Sequence, residues 1–310
     1  MYPPVTAIDL GSNSFRVVTY DFNTNTILNE FHEVVGMADG LVETGKISYE
    51  AQQRVIQAIQ TASLRLNFDA SKAICVTTAA MRYASNSQEV LKNFQEKTGA
   101  NFQIIEPQEE ARLTLLAIKY ALKREEQISE KFIVLDIGGG STEIIVNTHN
   151  TFIAQSFPFG IVTLTQKYND ITATKEALAV FKKKIRAFID SLPFDLTTYI
   201  FIATAGTPTT VAAVKLGLDA YAYDKNLVNG TEVTKEDLNK ALELFKNQPL
   251  EELTKLVGKG RVEFIEVGIL IYEAIFEVLN KKKSIVFDDG LREGVAINSF
   301  LRQESNSLSL

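Results

Sequence analysis

The sequence predicts an α/β fold built twice over, and three observations carry that reading. Short apolar runs rich in β-branched residues alternate with segments of helical periodicity along nearly the whole chain. A strand ending in Asp, a turn of small and hydroxyl residues and a returning strand occur at residues 5–20 and again at 132–146, so Asp-x-Gly-x-x-Ser stands at both Asp9 and Asp136. The 310 residues, 45% hydrophobic and 23% charged, suffice for one large or two medium cores. Two equivalent strand-turn-strand units imply two domains whose loops face each other across a cleft.

The second unit is the clearest. Residues 132–143 read FIVLDIGGGSTE, a β-branched run, three glycines and a hydroxyl pair before a further apolar run. Gly138, Gly139 and Gly140 carry no Cβ, so their N–H groups can approach a polyanion closely, and Ser141 and Thr142 add hydroxyl donors. Asp136 and Glu143 flank the turn with oxygen ligands of the kind magnesium takes beside bound phosphates. The first unit repeats the arrangement with Gly11, Ser12, Asn13 and Ser14. A capped Gly-rich hairpin without a ligand is the alternative for either loop alone, and the repetition argues against it.

Bulk properties exclude several classes. A net charge of −6 argues against a dedicated nucleic-acid binder or a membrane-surface protein, while leaving room for a local basic groove. One cysteine, Cys75, excludes an internal disulfide, and its apolar surroundings point to burial. With His32 and His149 as the only histidines there is no zinc set and no Ser-His-Asp triad to build. No leader and no membrane-length apolar run is seen, which leads to the expectation of a cytoplasmic protein.

In chain order, residues 27–35 read as a strand and 36–45 as a loop carrying Asp39, Gly40 and Glu43. Ser48 is placed to cap a helix with apolar positions from Ala51 to Leu66. The strand at 73–78 runs into a small-residue turn that delivers Arg82 where α/β ligand sites gather. A helix follows from Ser87, a strand at 102–105, and a helix opening with Pro107. Its first turn holds Glu109 and Glu110, which the helix dipole alone would explain. The charged run 123–131 marks an inter-domain hinge, dividing the chain into 1–124 and 125–310. The second half then offers strands at 132–136, 143–148 and 151–157 and helices from Val162 and over 174–192. The latter bears Lys182, Lys183, Lys184 and Arg186, either a solvated face or a path for a long polyanion. After the strand at 199–204, Gly206 and Thr207 open a helix whose N-terminus suits a phosphate or nucleotide. Helices at 234–247 and 260–281, a strand at 285–287 and a closing helix at about 291–302, free to cross back onto the first domain, complete the reading. The tail 303–310 is expected to be disordered.

AIDLGSNSFRVV, DIGGGSTE, ATAGTPTT and DDGLREG, in this order over residues 5–300, resemble the exopolyphosphatase and guanosine pentaphosphatase (Ppx/GppA) family. That family lies within the superfamily of acetate kinase, sugar kinases, heat-shock ATPases and actin. The resemblance implies two ribonuclease H-like (actin-like ATPase) domains with the active site in the cleft between them. It implies hydrolysis of the terminal phosphate of inorganic polyphosphate, guanosine pentaphosphate or tetraphosphate as a further ligand, and Mg2+ as cofactor, and leaves a homodimer open. The Glu-Glu-Ala-Arg run matches the segment bearing the family's catalytic glutamate, here Glu110, and Arg82 matches a phosphate-contacting arginine. Pro208 is a modest departure from the family's Gly-Thr turn. Three alternatives remain: an enzyme acting mainly on guanosine pentaphosphate, which it converts to tetraphosphate, a kinase of the same superfamily, and a sensor that binds guanosine tetraphosphate without turnover.

Overall fold

The computed structural model describes residues 2–307 apart from Ile128 and Asn169. Its packing divides the chain into two units, one made of Met1–Tyr120 with Asp289–Leu310 and the other of Ala121–Asp288. The first unit therefore draws on both ends of the sequence.

In the first unit, β1 (Val5–Leu10), β2 (Ser14–Asp21) and β3 (Thr26–Val34) form an antiparallel meander. After α1 (Leu41–Thr44) and α2 (Tyr49–Leu66), β4 (Ile74–Thr77) joins β1 in parallel. Then α3 (Ala79–Tyr83), α4 (Ser87–Thr98), β5 (Phe102–Ile104) and α5 (Pro107–Arg124) complete the order β3-β2-β1-β4-β5. Ser48 caps α2 as expected, its hydroxyl accepting the Ala51 N–H at 3.1 Å. The segment 36–45 is not all loop, since it contains α1.

The second unit opens in the same way, with β6 (Phe132–Ile137), β7 (Thr142–Asn147) and β8 (Phe152–Phe157) as a meander. It continues through α6 (Ile161–Lys167), α7 (Ile171–Asp190), β9 (Ile200–Thr204), α8 (Gly206–Lys215), α9 (Lys225–Val228), β10 (Thr231–Thr234), α10 (Lys235–Asn247), α11 (Leu250–Val257), α12 (Val262–Leu279) and β11 (Lys283–Val286). Its sheet order, β8-β7-β6-β9-β11-β10, repeats that of the first unit with β11 in the place of β5 and one added antiparallel edge strand. The chain ends in α13 (Leu291–Ser307). Residues 303–307, expected to be disordered, continue that helix, and the last three residues of the expected tail lie outside the described ones.

Each unit has its own core. Val5, Ala7, Val18 and Val76 from the first sheet meet Leu291, Val295 and Ala296 of α13. Ile133, Leu135, Ile144 and Phe201 meet α7 and ten buried residues of α12 in the second. The closing helix packs on the first sheet because Gly294 lets it approach the α5 backbone. A Cβ there would stand 2.6 Å from the Leu113 carbonyl carbon.

Candidate active site

The two loops have one backbone plan. Gly11 N–H donates to Ser14 O at 3.0 Å, and Gly138 N–H donates to Ser141 O at 2.9 Å, closing two-residue turns at Ser12-Asn13 and Gly139-Gly140. In each, the segment after the third strand of the meander backs the turn. The Ser12 carbonyl accepts Ala38 N–H (2.8 Å), and the Asn13 carbonyl accepts the N–H groups of Val35 (2.9 Å) and Gly36 (3.0 Å). The carbonyls of Gly138 and Gly139 accept Ile161 N–H (3.1 Å) and Val162 N–H (2.9 Å) from the first turn of α6. A planar trans peptide points its N–H opposite to its C=O. Tying these carbonyls back therefore turns the N–H groups of Asn13 and Ser14, and of Gly139 and Gly140, to the other side of each loop. Gly138 serves the turn itself, because its own N–H is committed to Ser141 and a Cβ would stand 2.9 Å from that oxygen.

Gly160, which the sequence reading did not single out, is what admits α6 to the loop. A Cβ on it would lie 2.6 Å from the Gly140 carbonyl carbon and closer still to the Gly139 carbonyl. The only sequence signal was a glycine two residues after Pro158, at the entry to a helix.

Register sets the carboxylates. Asp136 lies directly opposite Glu143, Glu143 opposite Ser156, and Asp136 beside Thr204, so a polar row crosses β8, β7, β6 and β9 on one sheet face. Ser156 Oγ donates to Glu143 Oε1 at 2.6 Å. The equivalent row of the first unit reads His32, Arg16, Asp9, Val76, with an arginine where the second has Glu143. Two adjacent carboxylates attract a cation, and an Asp-Arg pair does not. Among the described residues no group of three or more His, Cys, Asp or Glu is arranged for a metal. Magnesium asks for less, one or two carboxylates plus phosphate oxygens and water, and Asp136 with Glu143 fits that requirement.

Arg82 rides on α3, a short helix where a turn was expected. Its Nη1 donates to the Ile105 carbonyl at 2.6 Å and to Glu110 Oε2 at 2.9 Å. Its side chain is 9% exposed, and Nε and Nη2 are buried without a hydrogen-bond partner. Glu110 is itself 8% exposed, so the structure brings the two residues together in a buried pair. Glu109 does something else. It takes a bidentate pair from Arg112, at 2.7 and 2.8 Å, and Arg112 reaches on to Asn298 Oδ1 of α13 at 2.8 Å. The Arg112 guanidinium holds the Glu109 carboxyl below its ordinary value.

Other expected residues have structural partners. Thr207 is 2% exposed, and its side chain lies against Gly268 of α12, where a Cβ would be 2.9 Å from Thr207 Cγ2. Its hydroxyl therefore faces the core, which leaves its N–H at the start of α8. The hydroxyls of Thr209 and Thr210 bond back to the carbonyls of Ala205 (2.9 Å) and Gly206 (2.7 Å). A Cβ on Gly206 would make ordinary contact, at 3.7 Å, with the guanidinium of Arg261, another residue not foreseen. Ala205 before it has φ 74° and ψ −175°, a conformation that glycine otherwise occupies. In the cationic run of α7, Lys182 pairs with Glu277 at 2.9 Å and Arg186 donates to the Glu277 carbonyl at 3.5 Å, near the C-terminal end of α12. That is the bracing of a helix end. In DDGLREG, Glu293 accepts the Gly290 N–H at 2.9 Å and pairs with Arg292, capping α13.

Comparison with known proteins gives consistent matches along the whole chain. The model of the Ppx/GppA phosphatase family matches residues 17–303. The exopolyphosphatase 2 of Mycobacterium tuberculosis is 25% identical over 317 residues, covering 95% of this chain and 98% of that protein. The crystal structure of the Aquifex aeolicus member of the Ppx/GppA family is 28% identical, with a TM-score of 0.74 over 97% of this chain and 98% of that one. An exopolyphosphatase from Cytophaga hutchinsonii, 20% identical, shares the fold with a TM-score of 0.81 over 94% and 96% of the two chains. The paired sheets are those of the actin-like ATPase fold with two domains.

Proposed function

Because the chain belongs to the Ppx/GppA phosphatase family, we propose that it is an exopolyphosphatase, releasing the terminal phosphate of inorganic polyphosphate with Glu110 as general base and Arg82 as phosphate anchor. The observation that carries the reading is the state of Arg82. One guanidinium nitrogen is held by the Ile105 carbonyl and by Glu110, and the Nε–Nη2 edge is buried with its donors unused. Leaving such donors unmade costs free energy, and a planar fork of N–H groups fits two oxygens of one phosphate.

A phosphate on that edge has the Glu110 carboxylate at the neighbouring nitrogen. Water between the two is oriented by the carboxylate, which takes its proton as the oxygen attacks phosphorus in line with the departing phosphate. The outward N–H groups of Asn13 and Ser14, and those of Gly139 and Gly140, each make a cradle for phosphate oxygens. Asp136 and Glu143 would hold magnesium, which supplies charge neutralisation on the phosphates.

The relative called exopolyphosphatase 2 supports polyphosphate as substrate. Guanosine pentaphosphate offers the same terminal phosphoanhydride, so it forms the second arm of the test. Phosphate release is measured on both compounds, with magnesium and with a chelator. Magnesium-dependent release from polyphosphate is expected. Transfer from ATP to an acceptor without hydrolysis would replace the reading with a kinase, and binding of guanosine tetraphosphate without turnover of either compound would replace it with a sensor.

A further inference from the structure

We propose that Arg54 is a positioning residue for the first phosphate loop, acting through the segment 35–39 and never touching the substrate. The inference rests on the proposed function for what the loop holds. Its physical basis is a difference between two loops that otherwise match. The second is backed by α6, a helix kept rigid by its own hydrogen bonds. The first is backed by Val35, Gly36 and Ala38, which lie between the end of β3 and the start of α1 and belong to neither. N–H groups on an irregular segment stay aimed only if something else fixes the segment.

Arg54, on α2, is placed to do that. Its Nε donates to the Val35 carbonyl at 2.6 Å, and its Nη2 donates to the Gly36 carbonyl at 2.9 Å and to Asp39 Oδ2 at 2.6 Å. The peptide joining Val35 to Gly36 is thus held from both sides, its C=O by Arg54 and its N–H on the Asn13 carbonyl. Hydrogen bonds chained through one peptide polarise each other. Asp39 N–H returns to the Gly36 carbonyl at 3.1 Å. Gly36 has φ +55°, and a Cβ there would sit 2.8 Å from the Asp39 carboxyl carbon, so the turn favours glycine. Three acceptors in fixed directions call for a planar fork, which a lysine ammonium does not supply. The Arg54 and Asp39 side chains are 41% and 52% exposed, and an ion pair that open adds little global stability. Its effect is local order.

The test compares the parent with Arg54→Lys and Arg54→Ala, and with Arg65→Ala as a control cation on the same helix. Amide hydrogen exchange and polyphosphate hydrolysis are read on each. Exchange of the Val35, Gly36, Ala38 and Asp39 amides, each hydrogen-bonded in this brace, should quicken by about tenfold or more in both Arg54 variants with the rest of the chain unchanged. KM for polyphosphate should rise by about tenfold while kcat stays within about threefold of the parent. Arg65→Ala should match the parent in both readouts. Unchanged exchange, exchange quickened throughout the first unit, or local quickening with an unchanged KM would each overturn the proposal. Exchange is measured on the protein alone, so a parent that hydrolyses no polyphosphate overturns the proposed function and still leaves the brace decided.

Discussion

Gly160→Ala is the smallest change that separates a working second loop from one merely present. The backbone at Gly160 is extended, with φ −114° and ψ 168°, so alanine brings no conformational penalty and its cost is steric. The added methyl would lie 2.6 Å from the Gly140 carbonyl carbon. Unbonded carbons settle at about 3.5–4.0 Å, so the loop or α6 has to give by roughly 1 Å. Overpacking of this kind costs about 1–3 kcal/mol of stability. The larger effect falls on function, because a 1 Å displacement of a positioning element lowers turnover by on the order of 10²-fold. The assay pairs phosphate release from polyphosphate with a denaturant titration, which separates loss of the fold from loss of the loop. A Gly160→Ala enzyme that stays folded and works at the parent rate would show that the α6 contact does not set the loop.

Glu110→Gln should lower turnover by about 10²- to 10⁴-fold while Glu109→Gln stays near the parent rate, since Glu109 serves the Arg112-Asn298 bracket; equal rates in the two variants would return Glu110 to a helix-end role. Gly294→Ala should destabilise the first unit by about 1–3 kcal/mol, as its methyl meets the Leu113 carbonyl, and an unmoved denaturation midpoint would count against the close crossing of α13 and α5. Burial pushes the Cys75 thiol up to about 12, so the native protein should resist thiol reagents at about pH 8 and label fully once unfolded; rapid labelling of the native chain contradicts that burial.

The loops were legible because their signal is local. An Asp at a strand end, glycine and hydroxyls fall within a few residues of each other and recur, and the register of β6 and β7 then sets Asp136 opposite Glu143. What supports the loops was not legible. Arg54 reaches Val35 across 19 residues and Gly160 meets Gly140 across 20, and neither carries a local mark of that task. The direction of the Thr207 hydroxyl was not legible for the converse reason. A hydroxyl at a strand-to-helix turn suggests a ligand, and the glycine that swallows its side chain, Gly268, stands 61 residues on. β10 and α11 were missed because four and eight residues carry too little periodicity.

A unit assembled from the two ends of a chain has a history as well as a shape. During synthesis, residues 121–288 are contiguous and can complete their own core once they leave the ribosome. The first 120 residues emerge earlier and finish later, because Leu291, Val295 and Ala296 belong to their core and are made only after residue 288. Until then Val5, Ala7 and Val76 lack the cover that α13 gives them. Residues 1–120 are thus made before the second unit and completed after it, and premature termination after β11 releases a finished second unit joined to an unfinished first.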